Sequence, residues 1–171
     1  IAKMRSQRRI PEEVYSEMAR MGYLGMTVPE KFGGMGADAV STGIVAEQIA
    51  RSDPTASIPV LFLVDNAWSY LISKYGKEEV FGDVLRKVAK GQWITAIAST
   101  ESGHGSDVAG IDTTAKRSGD EYIVNGEKSF ISLVRDVKEH GGGFVTVVKT
   151  KEGAGSKGIS LLYVPYSDDI E

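Results

Sequence analysis

The chain has no cysteine, which removes disulfides, thiolate nucleophiles and cysteine metal sites together. Histidine is almost as scarce: His104 and His140 are the only two and stand far apart in sequence, so no transition-metal site is expected. Long apolar runs are missing as well. The longest, residues 58–64, contains Pro59 and stops at Asp65 and Asn66, far short of the roughly 20 residues that a membrane helix needs. Nor is there a block of one charge. The 20 basic and 23 acidic residues are interspersed for a net charge of -3, which leaves no polybasic stripe for nucleic-acid phosphates and no charged interaction tail. The basic start, residues 1–9, lacks the apolar core and cleavage pattern of a signal peptide. A cytoplasmic protein without membrane insertion is the default expectation.

What is present is the composition of an ordinary globular protein, 42% hydrophobic and 25% charged over 171 residues, enough for one large domain or two small ones. The pattern changes near Gly91. Before it, apolar residues recur at helical spacing; after it, they alternate or form short runs between glycines and polar turns. A helical domain over residues 1–91 followed by a β domain over 92–171 is the natural reading, and no internal repeat interrupts it.

Pro11, Glu12 and Glu13 open a helix with Val14, Met18 and Met21 on one face, closed by Gly22. The glycine-rich loop 28–36 follows as a structural connection. Ser41 is placed to cap a helix to Arg51 that buries Ile44, Val45 and Ile49. A third helix starts at Ser52-Asp53-Pro54 and runs to Tyr75, with Pro59 near its first turns. The stripe Val80, Phe81, Val84, Leu85 and Val88 predicts a fourth, over residues 77–90. Strands are predicted over 93–99, 113–116, 121–124, 128–132, 144–149 and 159–164. Asn125-Gly126 is the stronger hairpin signal and Gly119-Asp120 a second one. Six short strands without intervening helices predict an antiparallel barrel or sandwich, so the fold class is α+β with two domains. Residues 139–143 and 151–157 are read as surface loops.

The segment Ser99-Thr100-Glu101-Ser102-Gly103-His104-Gly105-Ser106-Asp107 joins two of these strands. Glycines admit a ligand close to the backbone, successive amides form an anion-binding nest, and the hydroxyls are uncharged donors, which suits phosphate or pyrophosphate. A solvated Gly/Ser loop has the same composition. The dinucleotide fingerprint lacks its third glycine, and neither a phosphate-loop Gly-Lys-Ser/Thr nor a Gly-x-Ser-x-Gly elbow occurs. His104 close to Ser106 has no orienting acid, so a hydrolase triad is not supported.

Four motifs in order carry a resemblance. Residues 25–36, Gly-Met-Thr-Val-Pro-Glu-Lys-Phe-Gly-Gly-Met-Gly, resemble the Gly-Leu-Thr-Val-Pro-Glu-Glu-Tyr-Gly-Gly-Leu-Gly of acyl-CoA dehydrogenases, and residues 47–53 resemble that family's Glu-Glu-Leu-Ala-Arg-Ala-Asp. Thr100, Glu101, Gly105, Ser106 and Asp107 fall in register with its Thr-Glu-Pro-x-x-Gly-Ser-Asp signature. Residues 119–132, from Gly119-Asp120 to Phe130-Ile131-Ser132, are similar to its Gly-Asp-x-Tyr-x-Leu-Asn-Gly-x-Lys-x-Trp-Ile-Thr.

The resemblance implies a helical domain, a β domain along which FAD lies, and a second helical domain that this chain lacks. It implies that Ile97, Ser99 and Thr100 line the flavin ring, that Gly105 and Ser106 face the pyrophosphate, and that Phe130 and Ser132 replace a tryptophan and a threonine beside the flavin. Leu63 and Ala67 would line the acyl tunnel. The implied reaction is α,β-dehydrogenation of an acyl-CoA thioester, with hydride passing to FAD and electrons to an electron-transfer flavoprotein, in fatty acid metabolism. Its glutamate base belongs to the domain outside this chain, so the chain alone is expected to be inactive, carrying no catalytic residue, and the parent to be a homo-oligomer. Glu101 is assigned a structural role. Ser102 and Leu133 depart from the family's proline and asparagine. A non-catalytic flavin or acyl-CoA module, or a flavoprotein oxidase or monooxygenase, is the alternative.

Overall fold

The computed structural model describes residues 2–7 and 9–170. Before Gly91 come α1 (Ala2–Gln7), which the sequence reading does not expect, and the four expected helices α2 (Glu12–Arg20), α3 (Ala39–Ser52), α4 (Ser57–Tyr75) and α5 (Glu78–Ala89). Beyond it come β1 (Ile94–Ala98), β2 (Thr114–Ser118), β3 (Glu121–Asn125), α6 (Val134–His140), β4 (Gly142–Lys149) and β5 (Ile159–Pro165). The fold is α+β. None of the helices is long and apolar enough to cross a membrane, among the described residues.

Local chemistry explains most boundaries and corrects several. The cap of α3 is Asp38, whose side chain accepts from the Ser41 amide at 2.7 Å; Ser41 receives the cap rather than providing it. The start of α4 lies three residues beyond Pro54, because the Asp53 carboxylate accepts from the amides of Thr55 and Ile58, both at 2.9 Å, and so organises the turn before the helix. Pro59 falls in the first turn, where its missing N–H costs no helical bond. Ile44 is 57% exposed, since α3 packs against α4 on one side only; Val45 and Ile49 meet the core partly buried.

The sheet is open and mixed, where alternation had suggested an antiparallel barrel or sandwich. Strand β4 is flanked by β1, parallel from Ile94↔Gly142 to Ala98↔Thr146, and by β5, antiparallel from Gly143↔Pro165 to Lys149↔Ile159. β2 joins the end of β4 in parallel at Thr114↔Lys149 and pairs antiparallel with β3. Alternation reports which face a side chain takes and is silent on strand direction; the long connection from β1 to β4, holding a hairpin and α6, permits the parallel pairing. The hairpin turn is Gly119-Asp120, with Ser118 opposite Glu121 and Gly119 at φ 63. Asn125-Gly126 makes no hairpin. Gly126 instead passes close over Thr113, whose Cα lies 2.6 Å from where a Cβ would stand. Residues 128–132 accordingly leave the sheet, and the expected loop 139–143 holds the end of α6 and the start of β4.

The helices are tied to the sheet through Asp65, fully buried in the middle of α4. Its Oδ1 accepts from the Thr95 amide at 2.9 Å and the Thr95 hydroxyl at 3.2 Å, and its Oδ2 accepts from the Gly25 amide at 3.2 Å. Beside it, Asn66 Oδ1 accepts from the Thr27 amide at 3.1 Å while its Nδ2 donates to the carbonyls of Tyr23 and Phe62, both at 2.9 Å. Burial pushes the Asp65 carboxyl up to about 6, against the lowering influence of the donors on Thr95 and Gly25.

A folded value above that of an unfolded aspartate, about 3.9, gives a contribution to stability that is complete below about pH 4 and lost as pH rises through the folded pKa. Asp65→Asn turns one acceptor into a donor facing Thr95 or Gly25. Urea unfolding at neutral pH is expected to show a loss of about 2 kcal/mol, and the decline of stability between about pH 4 and 6 is expected to vanish. A variant as stable as the parent would remove Asp65 from this role.

Candidate functional site

Strand β1 delivers the chain at Ala98 into the loop 99–107. Reciprocal backbone bonds close its turn: the Glu101 amide donates to the His104 carbonyl at 3.0 Å and the His104 amide to the Glu101 carbonyl at 3.2 Å. The Glu101 side chain points inward. Its Oε2 accepts from the Asp112 amide at 2.6 Å, and its Oε1 accepts from the Thr113 amide at 2.9 Å, the Thr113 hydroxyl at 2.5 Å and Lys128 Nζ at 2.9 Å. Lys128 Nζ also donates to the Ser99 carbonyl at 3.0 Å, and the Ser129 amide to the Thr100 carbonyl at 2.8 Å. The side chains of Glu101 and Lys128 are each 6% exposed. Burial alone would raise the Glu101 pKa; the Asp112 amide, the Thr113 hydroxyl, the Lys128 ammonium and the Thr113 amide outweigh it and hold the carboxyl down to about 2.

This clamp fastens residues 99–101 to 128–129 and so brings Ser99 and Thr100 beside the segment carrying Phe130 and Ser132. Ile97 is half-buried in β1, in register with Val145. Gly105 and Ser106 stand exposed on the loop, their amides without a backbone partner among the described residues. A Cβ added at Gly105 would meet nothing within 4 Å. Phe130 is 93% exposed, and Ser132 is exposed two residues on.

Phe130 and Ser132 border different clefts. One, of about 930 Å³, is lined by Ala98, Lys128, Phe130, Phe144, Thr146 and Val164 among others. The other, of about 530 Å³, lies between Ser132, Leu133 and Asp136 on one side and Arg9, Ser57 and Val60 on the other. Leu63 and Ala67 line neither; both are exposed on the face of α4 that Val60 begins, at helical spacing from it. Two backbone features here carry no sequence signal: Phe130 at φ 58 and Leu133 at φ 67 occupy the left-handed region, which phenylalanine and leucine rarely enter. Glu101, His104 and Asp112 present possible metal-ligand atoms within 4.8 Å of one another, but the Glu101 oxygens are already taken by the clamp.

A family model described as the acyl-CoA dehydrogenase N-terminal domain matches residues 1–92, and one described as the acyl-CoA dehydrogenase middle domain matches residues 96–170. The chain belongs to the acyl-CoA dehydrogenase family. The CarC subunit of the caffeyl-CoA reductase-Etf complex of Acetobacterium woodii is 34% identical over 154 residues, covering 90% of this chain and 39% of CarC. Among solved structures, an acyl-CoA dehydrogenase from Geobacillus kaustophilus superposes with TM-score 0.81 at 35% identity, over 97% of this chain and 43% of that one. A glutaryl-CoA dehydrogenase from Mycobacterium smegmatis in complex with FADH2 superposes with TM-score 0.76 at 28% identity, over 91% of this chain and 38% of that one. The chain spans about 28 to 40% of the length of the curated relatives it matches.

In a member of this family with the Glu101–Lys128 clamp, removing one partner strands the other charge in the interior. Glu101→Gln is expected to cost about 3 kcal/mol of unfolding free energy at neutral pH, read by denaturant titration. Because the folded pKa is depressed, the parent's contribution from Glu101 is present above about pH 4.3 and lost as pH falls through about 2. The variant should lack that acid-sensitive component.

Proposed function

We propose that this chain supplies the helical part, residues 1–91, and the flavin-binding part, residues 92–171, of an FAD-dependent acyl-CoA dehydrogenase that desaturates an acyl-CoA thioester between its α and β carbons. The observation that carries the reading is the clamp: it fastens residues 99–101, which lead to the exposed Gly105 and Ser106, to residues 128–129, which lead to the exposed Phe130 and Ser132. The donor set suits FAD. In this reading the amides of Gly105 and Ser106 and the Ser106 hydroxyl hold the pyrophosphate. Ile97, Ser99 and Thr100 would line the ring system, Phe130 would offer an aromatic face beside it, and the Ser132 hydroxyl would supply a hydrogen-bond donor to it. FAD, when bound, supplies the hydride acceptor. The exposed face of α4 that runs from Val60 to Leu63 and Ala67 is the side offered to the acyl chain.

Glu101 does not serve as the base. A carboxylate held at about 2 is a poor proton acceptor at neutral pH, where a base works best with a pKa near the operating pH. Asp136, at the Ser132 cleft, already accepts from Tyr15. The base in this reading comes from outside these 171 residues. An electron-transfer flavoprotein as acceptor is supported by the naming of CarC as a subunit of an Etf complex, and a homo-oligomeric parent is part of the same reading.

The full-length gene product that carries these residues is expected to be yellow and to bleach when acyl-CoA is added anaerobically; a colourless full-length protein that takes up no FAD would defeat the reading. Gly105→Val provides a sharper check. A Cβ at this position meets nothing within 4 Å, so thermal unfolding should change little, whereas FAD affinity should fall at least about tenfold, or 1.4 kcal/mol, because the backbone can no longer approach the pyrophosphate. Undiminished FAD affinity in that variant would move the pyrophosphate elsewhere.

A further inference from the structure

Helix α6 begins two residues after Ser132, rests against β1 and leads into β4, so its position is set by its neighbours rather than by its own bonds. It has seven residues, well below the length at which an isolated helix is stable, and its N-cap, Leu133, makes no side-chain cap bond and sits at φ 67. Its first backbone bond, from the Val137 amide to the Leu133 carbonyl at 2.8 Å, ties that strained turn to the helix. The position of the Ser132 hydroxyl therefore depends on where α6 is fixed.

Among the described residues, polar contacts from Arg9, Glu12 and Tyr15 join α2 and the turn before it to α6. Arg9 donates to Glu139 at 3.1 Å, with both side chains 41% exposed; His140 Nε2 lies 3.5 Å from Glu12, which is largely in water. The Arg9–Glu139 pair is too exposed to contribute much, and the largely buried His140 meets a Glu12 that stays in water. The Tyr15 contact differs. Tyr15 is 3% exposed, its hydroxyl donates to Asp136 Oδ1, and its ring stacks on His140 at 4.3 Å between centroids. Val137 is buried in the same cluster as Tyr15 and Met18. Burial, with the adjoining Asp136 carboxylate, pushes the Tyr15 phenol far above its ordinary range, so it remains a donor at any physiological pH.

We infer that Tyr15 is a positioning residue of the proposed flavin site: through Asp136 it anchors α6, and α6 holds the Leu133 turn that aims the Ser132 hydroxyl. The inference rests on the function proposed above. It assigns to a helix more than a hundred residues away in sequence the task of setting the geometry at Ser132, and Tyr15 itself touches no substrate or cofactor.

The experiment uses the FAD-loaded full-length gene product and its Tyr15→Phe variant, which keeps the ring in the core and removes one hydroxyl. The expected result is flavin content and thermal stability close to the parent's, a shifted visible absorption band of the bound flavin, and flavin reduction by acyl-CoA slowed about 10- to 100-fold with little change in KM. Glu139→Gln, which breaks only the exposed pair, should leave band and rate unchanged. A Tyr15→Phe protein with the parent's spectrum and rate overturns the inference. So does a rate loss that merely follows lost flavin and lost stability. Failure of the parent protein to take up FAD defeats the flavin reading itself, before any variant is compared.

Discussion

The structure depends on one buried carboxylate. Asp65 lies where α4 crosses the sheet, and its two oxygens are the acceptors for the Thr95 amide and hydroxyl on β1 and for the Gly25 amide at the end of the α2 turn. Backbone donors in that position have no water to turn to, so each must find a protein acceptor. Because Thr95 is held through both its amide and its hydroxyl, the bond sets where β1 sits along α4 as well as the fact of contact. β1 in turn sets the register of β4, from Ile94↔Gly142 onward, and delivers residues 99–101 to the site.

A second buried carboxylate, Glu101, shows the opposite balance between burial and donors. Asp65 is surrounded by neutral donors on Thr95 and Gly25, which do not overcome desolvation, and its pKa rises to about 6. Glu101 lies nearer the surface, and the Asp112 amide, the Thr113 hydroxyl, the Lys128 ammonium at 2.9 Å and the Thr113 amide together outweigh its burial, so its pKa falls to about 2. The difference suits their places. Asp65 joins layers already covered by the core, whereas Glu101 holds loops at the surface, where a weaker tie would let water in.

Much of this was legible in the residues because it is periodic or carried by motifs. Helices α2 to α5 follow from apolar spacing and terminal glycines, the strands other than residues 128–132 from alternation, and the family from four ordered motifs. What was hidden is tertiary. Asp65 and Asn66 look like the polar end of an apolar run, and only the crossing of α4 over β1 shows them to be its anchor. Asn125-Gly126 has a better local turn preference than Gly119-Asp120, but the close approach to Thr113 claims Gly126 for packing. Residues 134–140 offer two valines among five charged or titratable residues, too little apolar pattern to announce a helix; α6 exists because Val137 is buried and Tyr15 and Asp136 meet. The clefts beside Phe130 and Ser132 were equally unreadable, since they lie between segments distant in sequence.

The left-handed turns at Phe130 and Leu133 show why the site needs support from both sides. Each costs of order 1–3 kcal/mol for a residue with a Cβ and persists only where its surroundings over-determine it. Upstream, Lys128 and Ser129 are bound to Glu101, Ser99 and Thr100, which fixes the chain as it enters Phe130. Downstream, α6 fixes it as it leaves Leu133. Ile131 and Ser132 lie between the two constraints, so either end released alone would let the strained pair relax toward ordinary extended backbone. With both ends held, the fold keeps Phe130 turned to solvent and Ser132 at the mouth of the cleft shared with Val60, a geometry that two such residues would not adopt by themselves.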